Sequence, residues 1–369
     1  MKEISTELHE LSIFAVNPDN RSQVESIIEL VELMYSRSFP LHRAYDYSYW
    51  QSRIGNRFVS LVAEYKGQII AHLAAYPDND NSGNVQILFP FVHPAYSELT
   101  ATVFALLVER VLGLALRQLW KSVYFFEGIA PAEINTVISE ELGTVPVAVC
   151  PGYLCQDEIQ ATTNGFSRSS GEAPERSSCD IVVSQRILRH DRKKRKIYLP
   201  LEHQEFCSTI LKSLGVDMLS PDEETNIESS RYTSEMQALS IHHYRSSNVS
   251  HIYVRPSLLK NAKALVESIR SSELTRRAAY VFVNGNDPLA PTVARELQHS
   301  AFCFCGILPN LYNQDSLVYC DGSVSMVSDA LLTNKRTAFL AEYINGQLAF
   351  KKGEIKEALD GAGRYAANV

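Results

Sequence analysis

Three residues with side chains that can accept or donate a proton follow predicted strands in the first half of the chain. Glu127 comes directly after the apolar run 123–126. His93 ends an earlier apolar run, and Tyr153 follows a Pro-Gly pair. A carboxylate, an imidazole and a phenol are the groups that general acid–base catalysis uses. Each also has a structural interpretation: a strand-end carboxylate held by backbone donors, a structural residue before proline, and a packed aromatic ring.

The sequence gives less support to a metal site or to a catalytic nucleophile than to acid–base catalysis. Seven cysteines, an odd number without paired spacing, fit a reducing compartment better than a disulfide framework. Cys303 and Cys305 form a Cys-x-Cys pair inside an apolar run, and no second Cys or His pair has zinc-like spacing, so we predict buried side chains and no metal site. The sequence also lacks a G-x-S-x-G elbow, a P-loop, an H-E-x-x-H pair and a dinucleotide fingerprint. Hydrolase, NTPase and dehydrogenase functions are therefore disfavoured.

The composition is that of a globular protein with two or three domains. The chain has 369 residues, of which 45% are hydrophobic and 21% charged. Its 35 Lys+Arg against 42 Asp+Glu give a net charge of −7, which argues against general nucleic-acid binding. No apolar run approaches the roughly 20 residues of a membrane span, and residues 1–5 lack a signal-peptide layout. We expect a cytoplasmic protein that binds neither nucleic acid nor membrane.

The elements that must position the three residues follow from hydrophobic periodicity. In the first half the order is β-α-β-β-β-α-β-α-β. The predicted elements are strand 11–16, helix 21–36, hairpin strands 58–65 and 68–76, strand 85–92, helix 100–120, strand 123–126, helix 131–142 and a strand after 143.

The second half repeats part of this order after a polar segment. Residues 156–178 are nearly free of apolar side chains, which predicts a mobile loop. The basic cluster 189–196 is interpreted as a solvated connection, with a phosphate-binding patch as the alternative. The elements predicted beyond it are helix 204–214, strands 237–244 and 251–254, helix 256–271, strand 279–283, helix 289–299, strands 302–307 and 316–319, and tail helices 328–343 and 353–360.

The strand that ends in Val92-His93-Pro94-Ala95-Tyr96, followed by a long helix, a strand and a short helix near Asn135, resembles the core of the GNAT superfamily of N-acetyltransferases. The resemblance covers about residues 10–155. The second half, with Asp287-Pro288-Leu289-Ala290 opening a helix, is similar to the C-terminal half of the same fold. This resemblance implies an α/β (α+β) fold of two tandem GNAT-like domains, each a mixed, mostly antiparallel sheet flanked by helices. The implied boundaries are 1–198 and 199–325, with a helical tail over 326–369.

In that family the N-terminus of the long helix presents backbone N–H groups to the pyrophosphate of an acyl-CoA co-substrate. The resemblance therefore implies acetyl-CoA or another acyl-CoA as co-substrate. Glu127 becomes the base, His93 a proton relay and Tyr153 a hydroxyl donor in the cleft. Asn135 matches a residue that contacts the cofactor, although a helix N-cap would explain it equally well. The implied cofactor-binding residues are Val92, Thr100, Ala101, Thr102 and Asn135.

Two features of the sequence depart from the family pattern. The family loop reads approximately Q/R-x-x-G-x-G/A, whereas residues 97–102 contain no glycine and include Glu98. Side chains at glycine positions obstruct close backbone approach to a phosphate. The second half offers no better loop at 255–260. The family's tyrosine in the short helix is also missing, because residues 138–140 are Ile, Ser and Glu.

The resulting functional hypothesis is an acyl-CoA-dependent N-acyltransferase that acts on the amine of a small molecule or peptide, with a homodimer as the candidate assembly. One alternative is a non-catalytic binding module that kept the fold, and another is an enzyme that takes its acyl group from a carrier-protein thioester. The aromatic residues Tyr45, Tyr47, Tyr49 and Trp50 either line an acceptor pocket or cover a core edge.

Overall fold

The computed structural model describes residues 10–35, 39, 41–56, 58–78, 83–128, 131–155, 178–189, 194–219, 239–244, 249–256, 263, 266–267, 269, 278–312, 314–321, 324, 326–350 and 353. The chain divides into two compact units. Unit 1 comprises Met1–Val145, Leu154–His190 and Asn310–Asn313, and unit 2 comprises Pro146–Tyr153, Asp191–Pro309 and Gln314–Val369. The predicted mobile loop lies outside the described residues apart from Ser178, and the domain boundaries implied by the resemblance stay a prediction.

Unit 1 is built on a sheet of six strands in the order β1-β2-β3-β4-β5-β7. All neighbours are antiparallel except β4 and β5, which are parallel and joined by a helical crossover. The elements of residues 11–187 are β1 (Leu11–Ala15), α1 (Arg21–Tyr35), α2 (Tyr47–Arg53), β2 (Val59–Tyr65), β3 (Gln68–Pro77), β4 (Asn84–Val92), α3 (Thr100–Gln118), β5 (Ser122–Glu127), α4 (Ala132–Leu142), β6 (Val145–Cys155) and β7 (Ser178–Ile187). Of these, β6 is described below with unit 2.

The strands and helices predicted for the first half are therefore present, with small differences in their ends. The main omission is in the aromatic segment, which forms a short 3-10 helix over His42–Tyr45 and then α2. Asp46 begins α2 because its carboxylate accepts a hydrogen bond from the backbone N–H of Ser48. Trp50 of α2 is fully buried and belongs to the core, as the core-edge interpretation expected.

The helix that runs from Pro94 through α3 is long and apolar enough to cross a membrane by length and composition, with a mean hydropathy of 1.9 over its best window. The stripe that includes Val103, Leu107 and Val111 is buried, and α3 packs on β1, β2 and β3. Glu109 and Arg110 are exposed at the middle of the helix. A core helix passes the same length test, so this feature is weak support for a membrane span.

Unit 2 contains a second six-stranded arrangement, in the order β6-β13-β14-β12-β11-β10. Residues 146–153 of β6 belong to this unit although they lie in the first half of the sequence. The elements are β8 (Arg195–Lys196), α5 (Leu201–Ser213), β9 (Met218–Leu219), β10 (Leu239–Tyr244), β11 (Val249–Val254), β12 (Ala278–Asn284), α6 (Ala290–His299), β13 (Phe302–Leu311), β14 (Gln314–Asp321), α7 (Asp329–Thr333) and a helix over 338–350.

The chain order β4-α3-β5-α4-β6-β7 in the first half has a counterpart in β11, β12, α6, β13 and β14, with β11 and β12 again parallel. Most of the predicted helix 256–271 lies outside the described residues, as does tail helix 353–360 apart from residue 353. The predicted helix 328–343 is wrong in one respect, because residues 334–337 interrupt it. In this turn the side-chain oxygen of Asn334 accepts a hydrogen bond from the backbone N–H of Arg336, and its carbonyl accepts from those of Thr337 and Ala338. These bonds begin the separate helix over 338–350.

Candidate active site

The parallel strands β4 and β5 separate toward their C-terminal ends. Their pairing runs only from Asn84–Ser122 to Ile87–Phe125, while β4 continues to Val92 along β3 and β5 continues to Glu127 along β7. The two strands therefore form an open wedge between residues 88–92 of β4 and the end of β5. An extended ligand can use the backbone groups that a partner strand would otherwise occupy.

A bulge in β4 accompanies this separation. The β3–β4 register shifts between His72 and Ala74, and Phe89 has φ +55°. The displaced carbonyl of Phe89 accepts a hydrogen bond from His72 Nδ1 at 2.9 Å, so His72 Nε2 accepts from the Ser60 hydroxyl at 2.7 Å. Burial lowers the pKa of His72 to about 4, which keeps the ring neutral. Sequence reasoning missed this pair, whose only signal is a histidine in an apolar strand.

Glu127 stands at the mouth of the wedge as the last residue of β5. It is half-buried, and its Oε1 accepts a 2.6 Å hydrogen bond from the hydroxyl of Ser139 on α4. The helix is fixed in turn by Arg186 of β7, whose guanidinium donates to the carbonyl of Leu142 at 2.7 Å. Ser139 thus holds the carboxylate in one orientation. The sequence signal for this contact is the polar pair Asn135 and Ser139, four residues apart on the buried face of α4.

His93 lies just beyond β4 and borders a cavity of about 300 Å³ between α1 and the β2–β3 turn. Its Nδ1 accepts a hydrogen bond from the backbone N–H of Ala95 at 3.1 Å, so in the neutral ring Nε2 carries the proton. The walls of the cavity are polar and contain two carboxylates but no Lys or Arg. They are formed by Asn20, Ser22, Gln23, Ser26, Glu29, Leu30, Leu33, Glu64, Gly67, Gln68, Ile69 and His93.

The predicted cofactor-binding residues at the start of α3 lie in a closed turn. A 3-10 helix over Pro94–Leu99 runs directly into α3, and the backbone N–H of Thr100 donates to the carbonyl of Ser97. Thr100 is buried, whereas Ala101 is exposed and Thr102 is half-buried. Val92 is also buried, and its backbone N–H points at Met34 Sδ at 3.1 Å. The turn does not fit a diphosphate, because its Thr100 N–H already has an acceptor and Glu98 brings a negative charge.

Asn135 does not form the helix N-cap that was one interpretation of it, and Tyr153 does not lie in unit 1 with Glu127 and His93. Asn135 is not an N-cap, because α4 begins at Ala132 with Pro131 at the cap position; its own N–H donates to the Pro131 carbonyl at 3.0 Å. Tyr153 belongs to unit 2, where its hydroxyl lies 3.1 Å from His251 Nε2 and both residues are buried. The structure thus places Glu127 and His93 at the ends of the two diverging strands of unit 1, and Tyr153 in a buried pair of unit 2.

The corresponding parallel pair of unit 2 has no wedge. β11 and β12 pair over their whole common length, from Val249–Ala278 to Val254–Val283. The thiols of Cys303 and Cys305 are buried in β13 of the same unit, as expected. Within the described part of the chain, no three His, Cys, Asp or Glu side chains are grouped to hold a metal ion. The candidate site is therefore the wedge of unit 1.

A second polar group, at the opposite end of β4 and β5, was not found from the sequence. Asp78 accepts hydrogen bonds from the Tyr124 hydroxyl at 2.6 Å and from Asn84 Nδ2 at 2.8 Å. Asn84 in turn accepts a short hydrogen bond from the Ser122 hydroxyl. Burial raises the pKa of Asp78 to about 6 in spite of these donors. This group stabilises the paired end of the two strands, away from the wedge.

Comparison with protein-family models and with curated proteins gives no match. Solved structures do match, each over about half of this chain. An aminoglycoside 6'-acetyltransferase type Ii is 12% identical, with 49% of this chain and 99% of that chain covered and a TM-score of 0.37. The ribosomal-protein-S18-alanine N-acetyltransferase from Escherichia coli is 12% identical over 47% and 92%, with a TM-score of 0.35. An acetyltransferase of the GNAT family from Streptococcus pneumoniae is 12% identical over 48% and 100%, with a TM-score of 0.35.

Proposed function

We propose that unit 1 transfers an acyl group from a thioester to an amine. One observation carries the proposal: β4 and β5, paired at one end, diverge beyond Ile87 and Phe125, and a carboxylate stands at the open end. The order of strands and helices in unit 1, which is that of the GNAT fold, supports the same function. The likeness to N-acetyltransferases agrees with it at the level of the reaction class and leaves the amine unspecified.

The chemistry assigns a role to each part of the wedge. The amine arrives as an ammonium ion, which the carboxylate of Glu127 attracts and deprotonates. The free amine attacks the thioester carbonyl carbon, and negative charge develops on the carbonyl oxygen. At the β4 edge Pro90 has no N–H and the Val92 N–H already donates to Met34 Sδ, so the donor would be another N–H of residues 88–91. The carbon–sulfur bond then breaks, and the leaving thiolate takes up the proton that the attacking nitrogen gives up as it becomes an amide. The products are an amide and a thiol, and Glu127 returns the proton of the ammonium ion to solvent.

The test uses Glu127→Gln, because the amide oxygen of glutamine still accepts the Ser139 hydrogen bond while the charge is lost. Thiol release from an acetyl thioester is followed with a thiol reagent over a panel of primary amines, and the acylated amine is identified by mass spectrometry. We expect kcat/KM to fall by about 100-fold or more, the usual range for loss of a general base.

The matched control is Glu140→Gln, which removes an exposed carboxylate from α4, the helix that carries Ser139. It should change kcat/KM by less than about twofold. Equal activities of the two variants would contradict the role of Glu127. Absence of both acylated product and thiol release with every amine would contradict acyl transfer and favour a non-catalytic binding module.

A further inference from the structure

The turn between β4 and α3 bears on how the acyl donor is held. A diphosphate is bound at a helix N-terminus by backbone N–H groups that have no other acceptor, usually helped by Lys or Arg.

Three backbone donors of this turn already have acceptors. Ala95 N–H donates to His93 Nδ1 at 3.1 Å, and Tyr96 N–H donates to the His93 carbonyl at 2.9 Å. Thr100 N–H donates to the Ser97 carbonyl, which joins the 3-10 helix to α3. A phosphate could use these groups only by breaking hydrogen bonds that the turn makes with itself, and each such loss offsets the bond that is gained.

The charges around the turn also oppose an anion. Glu98 is exposed in the turn itself, and residues 92–109 contain no Lys or Arg. The neighbouring cavity is walled by Glu29 and Glu64. The ammonium group of Lys66, on the β2–β3 turn, lies 3.8 Å from a carboxylate oxygen of Glu10. A diphosphate placed here would meet carboxylates where it needs cations.

The wedge between β4 and β5, unlike the turn, has an uncharged lining on its β4 side. Its β4 edge is strand backbone from an uncharged segment: residues 88–92 are all apolar, and Phe91 and Val92 are buried. Of the N–H groups of this segment, that of Val92 donates to Met34 Sδ. A pantetheine arm is uncharged, slender and carries two amides, so it can pair with an exposed strand edge as a further strand would. On this contrast, and on the proposed function, we infer that the acyl donor is recognised through its pantetheine thioester arm, without a contribution from a nucleotide diphosphate.

The test compares acetyl-pantetheine with acetyl-CoA by calorimetric binding to the full chain. We expect dissociation constants within about threefold of each other. Acetyl-CoA binding more than 30-fold tighter would overturn the inference and leave the proposed function standing. Failure of both probes to bind at millimolar concentration would overturn the proposed function and the inference together.

A variant that removes the charge of Glu98 gives a second test, which depends only on the ratio of the two dissociation constants and not on their absolute values. Glu98→Gln should leave the ratio of the two dissociation constants unchanged, like its control Glu109→Gln on the exposed side of α3. A selective gain of threefold or more for acetyl-CoA in Glu98→Gln alone would place the diphosphate at this turn and contradict the inference.

A third probe distinguishes the two possible sources of a pantetheine arm, a carrier protein and a free thioester. Acetyl-phosphopantetheine carried on an acyl carrier protein is compared with free acetyl-pantetheine in the same measurement. Tighter binding of the protein-borne arm by tenfold or more assigns the donor to a carrier protein. Equal or weaker binding assigns it to a free thioester.

Discussion

At the scale of single residues, His72 shows how a buried polar side chain maintains the shape of the candidate site. The bulge that accompanies the wedge removes the carbonyl of Phe89 from the β3–β4 ladder, and His72 Nδ1 satisfies it. The other ring nitrogen then needs a donor, which only Ser60 supplies among the contacts described for that ring. Trp50 packs edge-on against the same ring at 5.3 Å. The hydrogen bonds therefore stabilise the bulge by leaving no buried polar atom of His72 unsatisfied.

We predict that Ser60→Ala destabilises unit 1 by about 1–3 kcal/mol, because it leaves the buried His72 Nε2 without a donor. Both tryptophans of the chain, Trp50 and Trp120, belong to unit 1, so urea unfolding followed by tryptophan fluorescence reports on this unit. Ser12→Ala, on the exposed face of β1, is the control and should stay within about 0.5 kcal/mol. Equal unfolding midpoints for the two variants would show that the Ser60 hydroxyl does not support the bulge.

At the scale of elements, β6 and β13 approach too closely for any side chain at one position. Gly306 of β13 has φ +140°, and a Cβ there would lie 2.3 Å from the Val147 carbonyl oxygen and 2.6 Å from Ala148 Cα. The contacts are with backbone, which cannot move aside as a flexible side chain would. Gly306 is therefore required for a strand from the first half of the sequence to take its place in unit 2.

We predict that Gly306→Ala destabilises unit 2 by at least about 2 kcal/mol. Hydrogen exchange should show faster exchange in peptides from β6, β13 and β14. Gly346→Ala is a suitable control, since Gly346 lies in the helix over 338–350 with no atom within 4 Å of an added Cβ. That control should be neutral or stabilising by up to about 1 kcal/mol, because alanine favours a helix. Unchanged exchange in Gly306→Ala would contradict the role of the close approach.

The same element scale explains what the sequence predicts and what it leaves out. Strands and helices such as β3 and α3 are specified by the period of their apolar residues, so their positions could be predicted. The end of a strand pairing has no such signal: β4 reads as a continuous apolar strand, although only its first residues pair with β5. Glu127 was found because it follows a strand. Its partner Ser139 was not, because a hydrogen bond between a helix and a strand depends on how they pack.

At the scale of the whole molecule, the two units should respond differently to acid. Burial lowers the folded-state pKa of His203 to about 4 and, helped by His242, that of His251 to about 3. Unfolded chains bind these protons near pH 6.5, so stability is lost as the pH falls below that value. For the two histidines of unit 2 the loss between pH 7 and 4.5 is on the order of 5 kcal/mol.

In the acid range, unit 1 has two pKa shifts of opposite sign, at His72 and Asp78. The pKa of His72 is lowered to about 4, so its protonation in the unfolded chain destabilises unit 1 over the same pH range as the two histidines of unit 2. Asp78, with a pKa raised to about 6, binds its proton more tightly in the folded state than in the unfolded state, so lowering the pH through 6 stabilises the unit. Each effect is about 2 kcal/mol between pH 7 and 4.5, and the two nearly cancel.

We therefore predict that acid loosens unit 2 before unit 1. At pH 4.5, hydrogen exchange should accelerate in α5, β11 and β13, while tryptophan fluorescence still reports a folded unit 1. His203→Gln should flatten the pH dependence of unit 2, since it removes a proton-binding site from the unfolded chain; His299→Gln, at an exposed position of α6, tests whether any histidine change does so. Simultaneous loss of both signals would mean that the units unfold as one, and an unchanged pH dependence in His203→Gln would mean that acid acts on other groups.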